Sequence, residues 1–107
     1  MVVNQCDIFW VDLDLTIGYE IKKVRLCVVI SPDEINLNID TVIIAPMTTR
    51  SRNYPTRTKI DFKEKTGWIV LDQIIAIDKI RIKEKAGYLK EIEIIEVKKI
   101  LKEMLVD

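Results

Sequence analysis

The 107-residue chain contains no histidine, and it has only two cysteines, three glycines and three prolines. Without imidazole it lacks the side chain that most often serves as a general base near neutral pH and most often binds zinc, so acid-base chemistry must use other groups. Cys6 and Cys27 are too few and too far apart for a disulfide framework or a CxxC metal site. We expect both to be reduced core residues, and we expect neither a metal nor another cofactor.

Membrane and targeting signals are also missing from the sequence. No apolar run approaches the roughly 18 residues that would suggest a membrane span, and the first residues lack a basic-then-apolar signal segment. We therefore expect a cytoplasmic protein that does not bind membranes. The length predicts one domain over residues 1–107 with a single compact core.

Charge is balanced overall but uneven along the chain. Lysine plus arginine and aspartate plus glutamate each number 17, so net charge gives no global attraction to nucleic acid. Between Thr48 and Lys59, however, three arginines and one lysine occur without an acid. A solvated loop and a surface that binds a polyanion are equally compatible with this run.

Short apolar segments with two-residue alternation or β-branched residues predict strands. They span residues 7–13, 24–30, 41–47, 56–62, 68–71 and 75–82, with a loop over 14–23 and a turn over 65–67. Ser31 and Pro32 have the pattern of an N-cap and a first helical residue, so a short helix should follow to about Leu37.

From Lys90 onward the apolar residues recur every three or four positions, which is typical of an amphipathic helix. Its predicted apolar face consists of Ile94, Val97, Leu101, Met104 and Leu105. Short strands followed by one terminal helix predict a mainly β (α+β) fold, a small, strongly bent antiparallel barrel of the SH3-like kind.

Two polar residues stand out at the margins of apolar strands. Arg25 interrupts the start of one strand, and an unpaired guanidinium is costly to bury, so it should meet a carboxylate or the phosphate of a ligand. A salt bridge to Glu20 or Asp72 is the structural alternative. Thr48 follows the next apolar strand, where a turn hydroxyl is the ordinary interpretation.

Four separated elements, in this order, resemble the MazF/PemK family of toxin endoribonucleases. They are Gly18-Tyr-Glu20, Arg25-Leu26, Pro46-Met-Thr-Thr49 and Leu71-Asp-Gln-Ile74. The resemblance implies a homodimer that cleaves single-stranded RNA, such as mRNA, at a short sequence without a metal ion. It also implies a cognate antitoxin whose acidic, flexible tail lies across the basic groove.

The resemblance also implies roles for individual residues. Arg25 and Thr48 would be the catalytic pair, with Glu20 as the plausible general base. The residues implied to contact RNA are Thr16, Tyr19, Arg50, Arg52, Asp72 and Gln73. Attack of the ribose 2′-OH on its own phosphate would leave a 2′,3′-cyclic phosphate and a 5′-OH, and an arginine fork suits the developing charge.

The sequence departs from the family pattern at positions that set backbone shape. Cys6 precedes Asp7 where the family often has glycine, and Leu15 and Leu26 replace prolines. Two alternatives share the fold, namely a non-enzymatic toxin that poisons DNA gyrase and a catalytically silent nucleic-acid-binding barrel. The presence of both Arg25 and Thr48 favours the nuclease.

Overall fold

The computed structural model describes residues 2–13 and 24–107. In this part of the chain the strands are β1 (Asp7–Asp12), β2 (Val24–Val29), β3 (Thr41–Thr48), β4 (Arg57–Phe62), β5 (Lys65–Val70), β6 (Ile75–Asp78) and β7 (Ile82–Tyr88). The helices are α1 (Asp33–Asn38) and α2 (Glu91–Leu105), and short 3-10 turns span Leu71–Gln73 and Lys79–Arg81.

The strands form one antiparallel sheet in the order β4-β5-β3-β2-β1-β7, and β6 also pairs with β3. Residues 41–44 of β3 pair with β6, whereas Met47 and Thr48 at its end pair with β5. Because one strand serves two partners along the same edge, the sheet must curl. The expected mainly β, strongly bent antiparallel architecture with a C-terminal helix is therefore confirmed.

Successive side chains of a strand point to opposite sides of the sheet, and the central strands β1, β2 and β3 have buried side chains on both sides. Ile8, Val28 and Ala45 pack toward α2 on one face. On the other face, Phe9 and Ile44 belong to a second cluster, which β6 and the start of β7 complete. Burial on both sides explains why β2 and β3 are almost continuously apolar in sequence.

The start of α1 differs from the prediction. Pro32, not Ser31, is the N-cap residue, and no side chain caps the helix. The Ser31 hydroxyl instead donates to Oδ1 of Asn36 at 2.5 Å and accepts from the backbone N–H of Ile43 at 3.0 Å. Ser31 and Asn36 are both buried, so this network ties α1 to β3. The N-cap prediction was wrong because Ser31 has a tertiary role.

The turn before β5 also lies earlier than predicted. Lys63 and Glu64 form the two-residue tip between β4 and β5, with φ values of 49° and 66°. Phe62 pairs with Lys65 across this tip, so the predicted turn over residues 65–67 is part of β5. Two consecutive left-handed residues match the type I′ turns that hairpins prefer, although glycine and asparagine are more usual there.

β7 was missed by the sequence pattern. The predicted strand over residues 75–82 is interrupted at Lys79–Arg81, and a separate strand runs from Ile82 to Tyr88. Its residues Lys83, Glu84 and Lys85 are exposed, and among the described strands only β1 pairs with it. Charged residues protect such an edge strand from pairing with other chains, and they also hide it from a search for apolar alternation.

α2 is amphipathic as predicted, with two corrections on its apolar face. Val97 and Ile100 are buried, although Ile100 was not predicted to be on that face. Leu105 was predicted to be on it, but it is 63% exposed. Neither helix in the described ranges is long and apolar enough to span a membrane.

Cys6 adopts a left-handed backbone conformation with φ of 70°. Its N–H donates to the carbonyl of Val29 at 2.8 Å, and its carbonyl accepts from the N–H of Leu89 at 3.0 Å. The conformation is therefore fixed by neighbouring segments. Left-handed geometry costs about 1–2 kcal/mol for a residue with a Cβ, which gives a physical reason for the frequent glycine at this position in the family that the sequence resembles.

We predict that Cys6→Gly leaves the protein more stable than Cys6→Ala, by about 1 kcal/mol. Both substitutions remove the buried thiol, but only glycine relieves the backbone. Cys27, in the middle of β2, provides the matched control, and there the alanine variant should be the more stable of the two. Urea unfolding of all four variants measures the differences. An alanine variant at position 6 at least as stable as the glycine variant would contradict the strain argument.

Candidate active site

Arg25 and Thr48 come from neighbouring strands and meet at one end of the sheet. β2 and β3 are antiparallel, with Cys27 opposite Pro46. Continuing this register by about two residues along each strand brings Arg25 opposite Thr48. Both residues line the same groove, which has a volume of about 450 Å³.

The groove combines an apolar floor with a basic and hydroxyl-rich rim. The described residues that line it are Trp10, Val24, Leu26, Met47, Phe62 and Ala86, the polar Thr48, Thr49 and Thr66, the cations Arg25, Lys63 and Lys65, and Gly67. None of these residues is acidic. Its volume falls in the range of small-molecule sites, and its charge favours an anion.

Gly67 allows β5 to approach the end of β3 closely. A Cβ at this position would lie 3.3 Å from the backbone carbonyl oxygen of Thr48. Gly67 is itself buried and is paired with Ile60 of β4. The β4–β5 hairpin is thereby held beside Thr48, which places Lys63 and Lys65 at the rim.

The side chain of Arg25 is exposed, and no ion pair joins it to another residue within the described ranges. The expected alternative of a bridge to Asp72 is wrong, because Asp72 pairs with Arg57. Glu20, the other expected partner and the expected base, lies outside the described residues, as do Thr16 and Tyr19. Arg25 can therefore present its guanidinium to an anion in the groove.

Thr48 is half-buried, and its hydroxyl takes part in a local turn. Its Oγ1 accepts from the backbone N–H of Arg50 and donates to the Arg50 carbonyl, both at 3.2 Å. The Thr48 hydroxyl therefore stabilises a turn in this structure, as the ordinary interpretation of the sequence expects. Since a hydroxyl hydrogen rotates freely, the same group can turn to donate to a ligand oxygen.

The two thiols do not provide the chemistry that histidine would. Burial raises the pKa of Cys27 to about 12, against the opposing influence of the Arg25 charge. Burial also raises the pKa of Cys6. Both thiols are therefore protonated at neutral pH and are neither nucleophiles nor strong metal ligands. In the described part of the chain no group of three or more potential ligands could hold a metal ion.

Asp72 and Arg57 anchor the loop between β3 and β4. Asp72 accepts from Nε and Nη2 of Arg57 at 3.0 and 3.2 Å, and from the hydroxyl of Thr56 at 2.9 Å. Hydrogen bonding from Arg57 lowers the pKa of the Asp72 carboxyl. Arg57 also donates to the hydroxyl of Ser51 and lies 4.8 Å from the ring centroid of Tyr54. The loop is thus fixed to the turn after β5.

The remaining described residues that were expected to contact RNA do not themselves line the groove. Asp72 and Gln73 are exposed on the 3-10 turn after β5, and Arg50 and Arg52 are exposed on the anchored loop. None of the four is among the described residues that line the groove. Arg57, which belongs to the same acid-free run, is neutralised by Asp72.

Sequence reasoning missed the cations and aromatic side chains that do line the groove. Lys63 and Lys65 lie on either side of Glu64, so they do not belong to a basic segment without acids that a search of the sequence would notice. Only the register of the β4–β5 hairpin brings them beside Thr48. Trp10 and Phe62 were interpreted as ordinary strand residues. The alternating residues 56–62 followed by a two-residue turn and a second strand would have indicated a hairpin, and that hairpin would have placed the lysines at its turn.

A family model described as "PemK-like, MazF-like toxin of type II toxin-antitoxin system" matches residues 4–105. The endoribonuclease toxin MazF of Escherichia coli K12 is 34% identical over 76 residues, which cover 71% of this chain and 68% of that protein. Endoribonuclease EndoA of Bacillus subtilis is 35% identical over 88 residues, covering 77% and 76%.

Solved structures agree on the fold. MazF from Deinococcus radiodurans superposes with a TM-score of 0.82 at 21% identity, covering 98% of this chain and 97% of that one. A mycobacterial endoribonuclease in complex with its cognate antitoxin gives a TM-score of 0.83 at 17% identity, covering 96% and 94%. At such identities the likeness establishes the fold alone.

Proposed function

Because the chain belongs to the PemK-like, MazF-like family of toxins from type II toxin-antitoxin systems, we propose that it is a sequence-specific endoribonuclease that cleaves single-stranded RNA without a metal ion. The observation that carries the proposal is the meeting of Arg25 and Thr48 in one groove, whose described lining residues include cations but no acid. The related MazF and EndoA proteins are named as endoribonucleases.

The cleavage step transfers the phosphate within the RNA strand. The ribose 2′-oxygen forms a bond to phosphorus while the bond to the 5′-oxygen breaks, leaving a 2′,3′-cyclic phosphate and a 5′-OH. A base must accept the 2′-OH proton, and the departing 5′-oxygen must receive one. Glu20 is the proposed base, and water or Arg25 supplies the second proton.

Arg25 and Thr48 have complementary roles in this step. The planar guanidinium offers several donors to the phosphoryl oxygens, on which negative charge increases in the transition state. The Thr48 hydroxyl donates to a non-bridging oxygen once it turns away from the Arg50 carbonyl. The apolar groove floor lowers the local dielectric, which strengthens both interactions.

We predict that Arg25→Ala and Thr48→Ala each reduce the cleavage rate by about 100- to 1,000-fold without loss of folding, since Arg25 is exposed and Thr48 is half-buried. Arg25→Lys should restore little activity, because an ammonium cannot reproduce the guanidinium fork. Cleavage of a long RNA in EDTA, followed by mapping of the 5′ ends, is the measurement, with circular dichroism as the check on folding.

Thr41→Ala is the matched control, because Thr41 is an exposed threonine at the opposite end of β3. It should cleave at the wild-type rate. Near wild-type cleavage by either Arg25→Ala or Thr48→Ala would show that the catalytic pair lies elsewhere, even if the protein is a nuclease.

RNA is proposed to contact two sets of cations. Lys63 and Lys65 lie at the groove rim, and Arg50 and Arg52 lie on the adjacent anchored loop. Thr16, Tyr19, Asp72 and Gln73 remain proposed RNA contacts on the strength of the family resemblance. The rim lysines are placed to bind phosphates beside the scissile one, and the loop arginines to bind the strand further along.

We predict that Lys63→Gln with Lys65→Gln weakens binding of even a short RNA and lowers the salt dependence of log K by about 1.4, that is 0.7 for each lost phosphate contact. Arg50→Gln with Arg52→Gln should affect mainly longer RNAs. Affinity at several salt concentrations, for a short and a long oligonucleotide, gives both slopes. An unchanged slope in the lysine variant would mean that the RNA does not pass this rim.

A cognate antitoxin is the proposed protein partner. Solved relatives include MazE-MazF from Deinococcus radiodurans and a mycobacterial endoribonuclease with its cognate antitoxin. An acidic, flexible tail would be attracted to the same cations that bind RNA. Competition between the antitoxin and RNA for one groove then explains neutralisation without a separate inhibitory site.

We also propose a homodimer, supported by apolar surface on α2. Ile92 and Ile95 are 75% and 62% exposed, and Leu105 and Val106 at the C-terminal end are 63% and 76% exposed. Outside α2, Ile75 of β6 is also 38% exposed. Trp68 and Ile74 are half-buried within their own chain. A stable two-fold interface would bury roughly 1,500 Å² in total.

We predict that the protein sediments at twice the chain mass of 12.5 kDa at micromolar concentration, and that Ile92→Lys with Ile95→Lys shifts it toward the monomer. Lys98→Ala with Lys102→Ala changes exposed polar positions on the same helix and should not. A wild-type species of 12.5 kDa that still cleaves RNA would exclude the dimer as a requirement for activity.

A further inference from the structure

Trp10 is unusually accessible for a residue in the middle of the sheet. It is paired with Leu26 of β2 and Glu84 of β7, yet it is 39% exposed. It is on the same face of β1 as Ile8, which is completely buried. The core that covers Ile8 does not extend over Trp10, so the indole lies open on the groove floor.

Small residues on β7 make room for a second aromatic ring in the groove. The pairing of β1 with β7 shifts between Ile8–Gly87 and Phe9–Lys85, so Ala86 has no directly opposite partner. A Cβ at Gly87 would lie 2.9 and 3.0 Å from two ring carbons of Phe62. Gly87 is therefore needed for the Phe62 ring to lie against β7.

Cations lie beside this apolar floor. Nζ of Lys63 is 5.6 Å from the centroid of the Phe62 ring, and Arg25 and Lys65 line the same groove. An aromatic floor next to phosphate-binding groups is the arrangement with which proteins bind unpaired nucleotides, with the base on the ring and the phosphate on the cations.

We propose that one unpaired base of the RNA enters this slot and stacks on Trp10 and against Phe62, with its phosphate directed toward Arg25 and Thr48. The inference rests on the proposed function and adds to it a residue that positions the scissile nucleotide. Stacking tolerates every base, so Trp10 contributes affinity and position, while sequence preference arises elsewhere. Each nucleotide of an RNA supplies both a planar ring for the aromatic floor and an anion for the rim cations, whereas a peptide must supply the two from different residues.

The test combines base deletion in the RNA with substitution of Trp10. The probe is a short oligonucleotide that contains the mapped cleavage sequence, made uncleavable by 2′-O-methylation at the scissile ribose. In a set of further probes, each oligonucleotide carries an abasic site at a different single position. In the wild type, one deletion should weaken binding about tenfold, whereas in Trp10→Leu the same deletion should have almost no effect. Other deletions should have equal effects on both proteins.

Trp10→Phe retains an aromatic face and should retain most of the sensitivity to that deletion. Fluorescence gives an independent measurement, because the chain has two tryptophans and Trp68→Phe leaves Trp10 alone. The complete probe should quench this emission, and the probe that lacks the critical base should not. The fluorescence result decides the question even if Trp10→Leu fails to fold.

The outcomes separate this inference from the proposed function. A wild-type protein that neither binds nor cleaves RNA would contradict both. Cleavage that depends on Arg25, together with base deletions that affect the wild type and Trp10→Leu equally, would overturn only the stacking inference. The same holds if Trp10→Leu weakens antitoxin binding but not RNA binding, since the slot would then hold a peptide side chain.

Discussion

The site depends on the antiparallel pairing of β3 with its neighbours. β3 pairs with β2 on one side and, on the other, first with β6 and then with β5. The first half of β3, where it pairs with β6, contributes to the core. At the end of β3, the same pairing brings Thr48 beside both Arg25 and the β4–β5 hairpin. A strand slip of one residue would turn Thr48 to the other face, so the core and the site are fixed together.

Apolar patterning predicted the central part of the fold well. β2, β3 and α2 were predicted because their burial demands long apolar runs or regular helical spacing. β7 was missed because its charged run Lys83, Glu84 and Lys85 hides any apolar alternation, and its position follows only from pairing with β1. Ser31 was assigned to a helix cap because a local pattern cannot reveal its bonds to Asn36 and Ile43.

The site was predictable only in part. Arg25 and Thr48 stand out because each interrupts or ends an apolar strand, and family resemblance brought them together. Asp72 could not be assigned in this way, since its pairing with Arg57 depends on a contact across the loop. Lys63 and Lys65 could not be recognised without the hairpin register, which the sequence did not predict correctly.

The proposed mechanism is an intramolecular attack by the RNA itself, with Arg25 and Thr48 stabilising the transition state. The most direct measurement is cleavage, in EDTA, of an oligonucleotide with the mapped cleavage sequence and a single 2′-deoxyribose at the scissile position. We predict that this RNA stays intact while the all-ribose RNA yields 2′,3′-cyclic phosphate and 5′-OH ends. Cleavage of the 2′-deoxy substrate, or products with 5′-phosphate ends, would contradict the mechanism.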